Sequence, residues 1–125
     1  MKVKIDTKEK FHAITVSDSS LSASMTEELA DQLLKYLQND LKSVVLNLKE
    51  LDYIDNEMAE KLVNIQQKFY ESKASFVICG LKPDVEKILD GLDLLEMMNV
   101  TPTESEAGDI VQMEEIEREI LGDDE

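Results

Sequence analysis

Asp55, Asn56, Glu57 and Met58 stand where a valine- and leucine-rich segment gives way to an amphipathic helical pattern. A helix N-terminus at such a junction presents free backbone N–H groups and the positive end of the helix dipole, a natural place to hold an anion. The plainer reading is a helix start: Asp55 and Asn56 would accept from those N–H groups, and Glu57 would complement the dipole. Other groups with chemical potential are scattered. Ser17, Ser19, Ser20, Ser22 and Ser24 cluster in a turn-like stretch, where serine is ordinarily a solvated loop residue and only secondarily a phosphate acceptor. His12 is the sole histidine, so no histidine pair is available for a metal, and no nucleophile–base arrangement can be assembled around it. Cys79 lies in the apolar run Phe76-Val77-Ile78-Cys79, as a packed thiol would. Asp52 and Asp55 are two nearby carboxylates of the kind common in turns. Gly80, Gly91 and Gly108 are too far apart to cradle a phosphate. No catalytic residue, metal or cofactor is expected.

The elements that must position these groups follow from periodicity. Val3 and Ile5, then Phe11, Ala13 (or Ile14) and Val16, predict two strands joined as a hairpin through Lys8-Glu9-Lys10. Residues 17–24 read as loop. Ser24 with Glu27 has the spacing of a capping box, opening a helix whose inner face is Met25, Leu29, Leu33 and Leu37, with Ala30, Leu34 and Leu41 beside them. Lys42 to Leu48 predicts a strand covered on both faces, because Val44-Val45-Leu46 runs apolar without alternation. Residues 58–71 return to helical spacing through Leu62, Ile65 and Phe69. Ser75 to Cys79 predicts a further buried strand. Pro83 suits a first helical turn and Gly91 a C-cap. Val100 begins or forms a last short strand. Thr103, with Glu106 three residues on, caps a final helix running to about Leu121. The order β-β-α-β-α-β-α-β-α implies parallel pairing from residue 25 onward.

A length of 125 residues suits one core, and the 42% apolar share can fill it. The formal net charge of −15 disfavours nucleic-acid backbones and anionic membrane surfaces, both of which select lysine and arginine. No apolar run approaches the roughly 20 residues of a membrane span, so membrane insertion is not expected. The N-terminus carries charges throughout in place of a signal-peptide core, and a single cysteine suits a reducing cytoplasm. Acidity is concentrated at the end: residues 104–125 hold ten acids and one base. The expected organisation is a domain over residues 1–110 and an acidic helical extension and tail over 111–125.

The segment Ser43-Val44-Val45-Leu46-Asn47-Leu48-Lys49-Glu50-Leu51-Asp52-Tyr53-Ile54-Asp55 resembles the core of the STAS domain family, the anti-sigma factor antagonists. The resemblance extends over about residues 3–110. It takes in Phe76-Val77-Ile78-Cys79-Gly80-Leu81, the Pro83-Asp84-Val85 helix start, the Gly91-Leu92-Asp93-Leu94-Leu95 bend and Thr103-Glu104-Ser105-Glu106-Ala107. It implies an α/β fold, a STAS-like mixed β-sheet of four to five strands with four to five packed α-helices. In the family the strand ends in Asp-Ser-Ser-Gly or Asp-Ser-Thr-Gly, and one hydroxyl is the phosphorylation switch. Here only Asp55 is retained; Asn56 and Glu57 take the hydroxyl positions and Met58 the glycine. The family's Gly-x-Leu/Ile-Asp element reads Ser19-Ser20-Leu21-Ser22, with Ser22 in place of the acid. Glu57 carries one negative charge against roughly 1.5 to 2 for a phosphate, which favours the helix-start reading over phosphomimicry. Met58 either packs in the helix or alters the docking surface.

The resemblance implies a non-catalytic binding module with a docking surface around Ser19–Ser24, Asp55–Met58 and Lys61. The expected partner is an anti-sigma factor that is also a serine/threonine kinase, or a second copy of the chain. The alternative is a scaffold subunit of a self-assembled or larger complex unrelated to sigma-factor control. The stripe Ile110, Val111, Met113, Ile116, Ile120 and Leu121 is expected to pack on its own domain in its first half and to meet a partner in its second.

Overall fold

The computed structural model describes residues 1–122. Five strands, β1 (Val3–Thr7), β2 (His12–Val16), β4 (Val44–Asn47), β6 (Phe76–Cys79) and β7 (Val100–Thr101), form one sheet in the order β1-β2-β4-β6-β7. β1 pairs antiparallel with β2, as the hairpin predicts, and the other three pairings are parallel. β4 and β6 sit in the middle, and every residue in them is buried. That is why their sequences run apolar without alternation.

Helices α1 (Thr26–Leu34), α2 (Asn56–Glu71), α3 (Pro83–Gly91) and α4 (Glu104–Gly122) complete the fold. The principal core lies on one side of the sheet, where Ile14, Val16, Leu46, Phe76 and Ile78 join Leu29 and Leu33 of α1, Leu62 and Phe69 of α2 and Val85 and Leu89 of α3. The Phe69 and Phe76 rings meet at 5.1 Å between centroids. On the other side Val45, Val77 and Cys79 pack with Ala107 and Val111 of α4. The boundary expected at residue 110 falls inside the unbroken α4 helix, and residues 123–125 of the acidic tail lie outside the described residues.

Several local expectations are corrected. Residues 17–24 are not all loop: β3 (Ser20–Leu21) pairs in parallel with β5 (Tyr53–Ile54) in a separate small sheet. The first helix ends at Leu34 and tightens into a 3-10 turn, Lys35–Gln38. That tightening turns Tyr36 inward, where its ring lies 4.5 Å from that of His12, so Tyr36 is buried and Leu37 only partly so. Gly91 is the last residue of α3 and not its left-handed cap. Asp93 takes that conformation, at φ 60°, and Leu94 N–H closes onto Leu89 O at 3.0 Å. The cap expected at Thr103 is present in one arm, with Glu106 N–H donating to Thr103 Oγ1 at 3.2 Å.

Candidate functional site

The small β3–β5 sheet joins the two segments that carry the candidate residues. Ser19 O accepts from Asp52 N–H at 2.6 Å and Tyr53 N–H at 3.2 Å, and Leu21 O accepts from Asp55 N–H at 2.9 Å. Leu21 and Ile54 face inward with no exposure, which fixes the register and leaves Ser20 and Tyr53 outside. The Ser19–Ser24 segment therefore lies directly beside the turn that starts α2.

Asp55 holds the junction together. It stands at the N-cap of α2 in an extended conformation, yet its carboxylate does not cap its own helix. Asp55 Oδ2 accepts instead from Ala23 N–H at 2.7 Å, across 32 residues of sequence. The neighbouring Tyr53 hydroxyl first, and the Ala23 N–H second, hold Asp55 below the usual carboxylate range, and Asp55 in turn raises the Tyr53 phenol. The capping box expected at Ser24 and Glu27 does not form. Ser24 lies inside a 3-10 turn, Ala23–Met25, and its hydroxyl pairs with that of Ser22 at 2.9 Å. α1 starts without a side-chain cap of its own. Asp55 supplies an acceptor to the turn that precedes it.

The remaining site residues separate into outer and inner positions. Asn56 and Glu57 are exposed at the first turn of α2, and Lys61 is half-buried one turn on. Ser24, Glu57 and Lys61 line a hollow of about 340 Å³ between the starts of α1 and α2, together with Glu27 and Glu60. Thr26 borders it too, and its buried hydroxyl has no hydrogen-bond partner among the described residues. Three glutamates against one lysine make this a poor cradle for a second anion. Met58 has no exposure at all. Its reading as an altered docking surface is corrected: the side chain points into the core, and only its neighbours reach solvent.

Groups outside this edge have structural partners. His12 Nδ1 meets Thr7 Oγ1 and Nε2 meets Leu41 O, each at 2.9 Å. Because a carbonyl only accepts, Nε2 donates to it, and in the neutral imidazole Nδ1 then accepts from the Thr7 hydroxyl. Burial pushes the Cys79 thiol up to about 11, away from thiolate chemistry. Asp52 is paired with Lys82 at 2.7 Å while Asp55 is held by Tyr53 and Ala23, so the two carboxylates do not share a site. Among the described residues no cluster of His, Cys, Asp or Glu could hold a metal ion, and no helix is long and apolar enough to cross a membrane.

The STAS domain model matches residues 3–107. The chain belongs to the STAS domain family. Solved structures with this fold include a Thermotoga maritima protein assigned as an anti-sigma factor antagonist, at 18% identity and TM-score 0.74, covering 88% of this chain and 94% of that one. A serine-to-glutamate variant of RsbS from Moorella thermoacetica aligns at 20% identity and TM-score 0.73, over 90% and 96% of the two chains. An anti-sigma factor antagonist from Mycobacterium paratuberculosis aligns at 13% identity and TM-score 0.76, over 89% and 93%. No curated protein sequence gives a significant match. In this STAS domain no hydroxyl stands at residues 55–58, where α2 begins.

Proposed function

We infer that this STAS domain is a non-catalytic protein-binding module of the anti-sigma factor antagonist kind, acting in the cytoplasm with no phosphorylation switch at residues 55–58. One observation carries the reading. The Ser19–Ser24 segment and the start of α2 form a single continuous edge, joined by β3–β5 and by the Ala23 N–H to Asp55 bond of 2.7 Å. Ser19, Ser20, Ser22, Asp55, Asn56, Glu57 and Lys61 are the residues that would meet the partner there. Met58 contributes by packing beneath them. The partner kind is an anti-sigma factor with serine kinase character, in keeping with the anti-sigma factor antagonists that share the fold. Without a hydroxyl to modify, the interaction is governed by whether the partner is present and not by phosphate on this turn.

Glu57→Lys and Lys61→Glu test this reading, because each reverses a charge on the outer side of α2 and leaves Leu62 and Ile65 in the core. Affinity for the anti-sigma-type kinase should fall at least about tenfold. The melting temperature should move by only a few degrees, as surface changes of this kind cost roughly 0.5 kcal/mol or less. Unchanged affinity in both variants would remove this edge from consideration.

The scaffold reading draws on the same missing hydroxyls: a fixed subunit has no need of a switch. It requires a stable assembly of the isolated chain, which light scattering after size-exclusion would reveal.

A further inference from the structure

Helix α4 is pinned along one face and bare along the other. Ala107 and Val111 are buried against the sheet, and polar anchors continue the same face. The Tyr70 hydroxyl donates to Glu114 Oε1 at 2.7 Å, and Arg118 Nη2 donates to Ser75 Oγ at 3.0 Å. Positions 107, 111, 114 and 118 recur at helical spacing, so they fix which side of α4 points outward. That outer side carries Met113, Ile116 and Ile120, which are 60%, 48% and 64% exposed. Their separations of three and four residues set them in one seam about 10 Å long.

Charge decides what can cover this seam. Residues 104–125 hold ten acids and one base, and Glu117 and Glu119 flank the apolar line. A second copy would bring two acidic rims together, and an anionic bilayer would repel the rim in the same way. The complement is a helix whose apolar stripe is bordered by lysine or arginine. We propose that the outer face of α4, with Met113, Ile116 and Ile120 at its centre and Glu117 and Glu119 at its rim, docks a basic amphipathic helix of a partner protein. This face is separate from the α2 edge: α4 packs on one side of the sheet and α1 and α2 on the other. Both can be occupied at once.

The test titrates the full chain with a synthetic peptide of about 18 residues, five helical turns, carrying leucine at coiled-coil a and d positions and lysine on the rim. Binding is read by fluorescence anisotropy at about 0.15 M salt. A scrambled peptide of the same composition and a peptide with a glutamate rim serve as controls. The proposal expects saturable binding of the basic amphipathic peptide, weakened at least about tenfold in Ile116→Ser/Ile120→Ser, by scrambling and by the acidic rim. Glu57→Lys should leave this binding unchanged, which separates it from the α2 edge. Far-UV circular dichroism checks that the double variant is folded, and the two control peptides address the native chain alone. Equal binding by the scrambled peptide or by the double variant would show attraction through charge only and overturn the proposal. A native dimer that the double variant abolishes would overturn it too, in favour of a second copy on this face.

Discussion

Truncating Met58 to alanine should cost this domain far more than reversing the charge on the residue beside it. Met58 lies fully buried in the first turn of α2, in the same core cluster as Leu21, Ile54 and Leu62. Removing a buried methionine side chain forfeits its transfer free energy and leaves a cavity, about 2–5 kcal/mol in well-packed cores. A helix start can settle partly into the space, which places Met58→Ala near 3 kcal/mol. That is a large share of the 5–15 kcal/mol typical of a whole domain. For a chain of this length each kcal/mol moves Tm by about 3–5 °C, so a fall of roughly 10–15 °C is expected. Met58→Gly, which restores the family's residue, should lose about 1 kcal/mol more through helix propensity. Glu57→Lys should stay within about 0.5 kcal/mol. Urea melts followed by circular dichroism give these differences, with an unchanged m value if the denatured state is unaffected. A loss below about 1 kcal/mol for Met58→Ala, or a greater loss for Glu57→Lys, would refute the inward placement of Met58.

Gly80→Ala should destabilise by about 2 kcal/mol, since its φ of 76° costs an L-residue and the new Cβ would lie 2.9 Å from Asn47 Oδ1, the acceptor for Lys49 N–H; thermal melts read the loss. Asp55 has a folded pKa below its ordinary value, so the stability it adds is present above the ordinary carboxylate pKa and is lost as pH falls through the lowered folded one. Tyr53→Phe removes the larger cause and should move that loss to higher pH, seen as an upward shift in the Asp55 carboxyl titration by NMR; an unmoved titration would contradict the assigned cause. Incubation with an anti-sigma-type serine kinase and ATP should place no phosphate on residues 55–58, where no hydroxyl stands. Phosphate mapped by mass spectrometry to Ser19–Ser24 would reveal a relocated switch.

Long, strongly patterned elements were legible in the sequence, and short or long-range ones were not. Val44-Val45-Leu46 and Phe76-Val77-Ile78-Cys79 announce central strands because both faces of the sheet are covered, and the Leu62, Ile65, Phe69 spacing announces α2. By contrast β3 and β5 are two residues each, too short for any period, and each gains its meaning only from the other. The same holds for Asp55. Its position at a strand end suggested capping of its own helix, but its acceptor oxygen is satisfied by Ala23, a bond that local sequence cannot disclose. Ser24 and Glu27 have capping-box spacing, yet the preceding 3-10 turn places Ser24 elsewhere. Met58 replaces a glycine of the family pattern, and whether it faces in or out depends on the helix phase, which the buried Ala59 and Leu62 settle. On α4 Ala107 and Val111 are covered, as expected of the first half, but the division runs by face and not by half: Glu114 and Arg118 in the second half are anchored to the domain, while Met113, Ile116 and Ile120 are exposed.

The central claim is that residues 19–24 and 55–61 form one partner-binding edge, and hydrogen–deuterium exchange of the full chain with and without the anti-sigma-type serine kinase of its own cell tests it most directly. Slowed exchange in both segments, and in neither the β1–β2 hairpin nor the outer face of α4, is the predicted result. Protection confined to residues 113–120, or no protection anywhere, would contradict it.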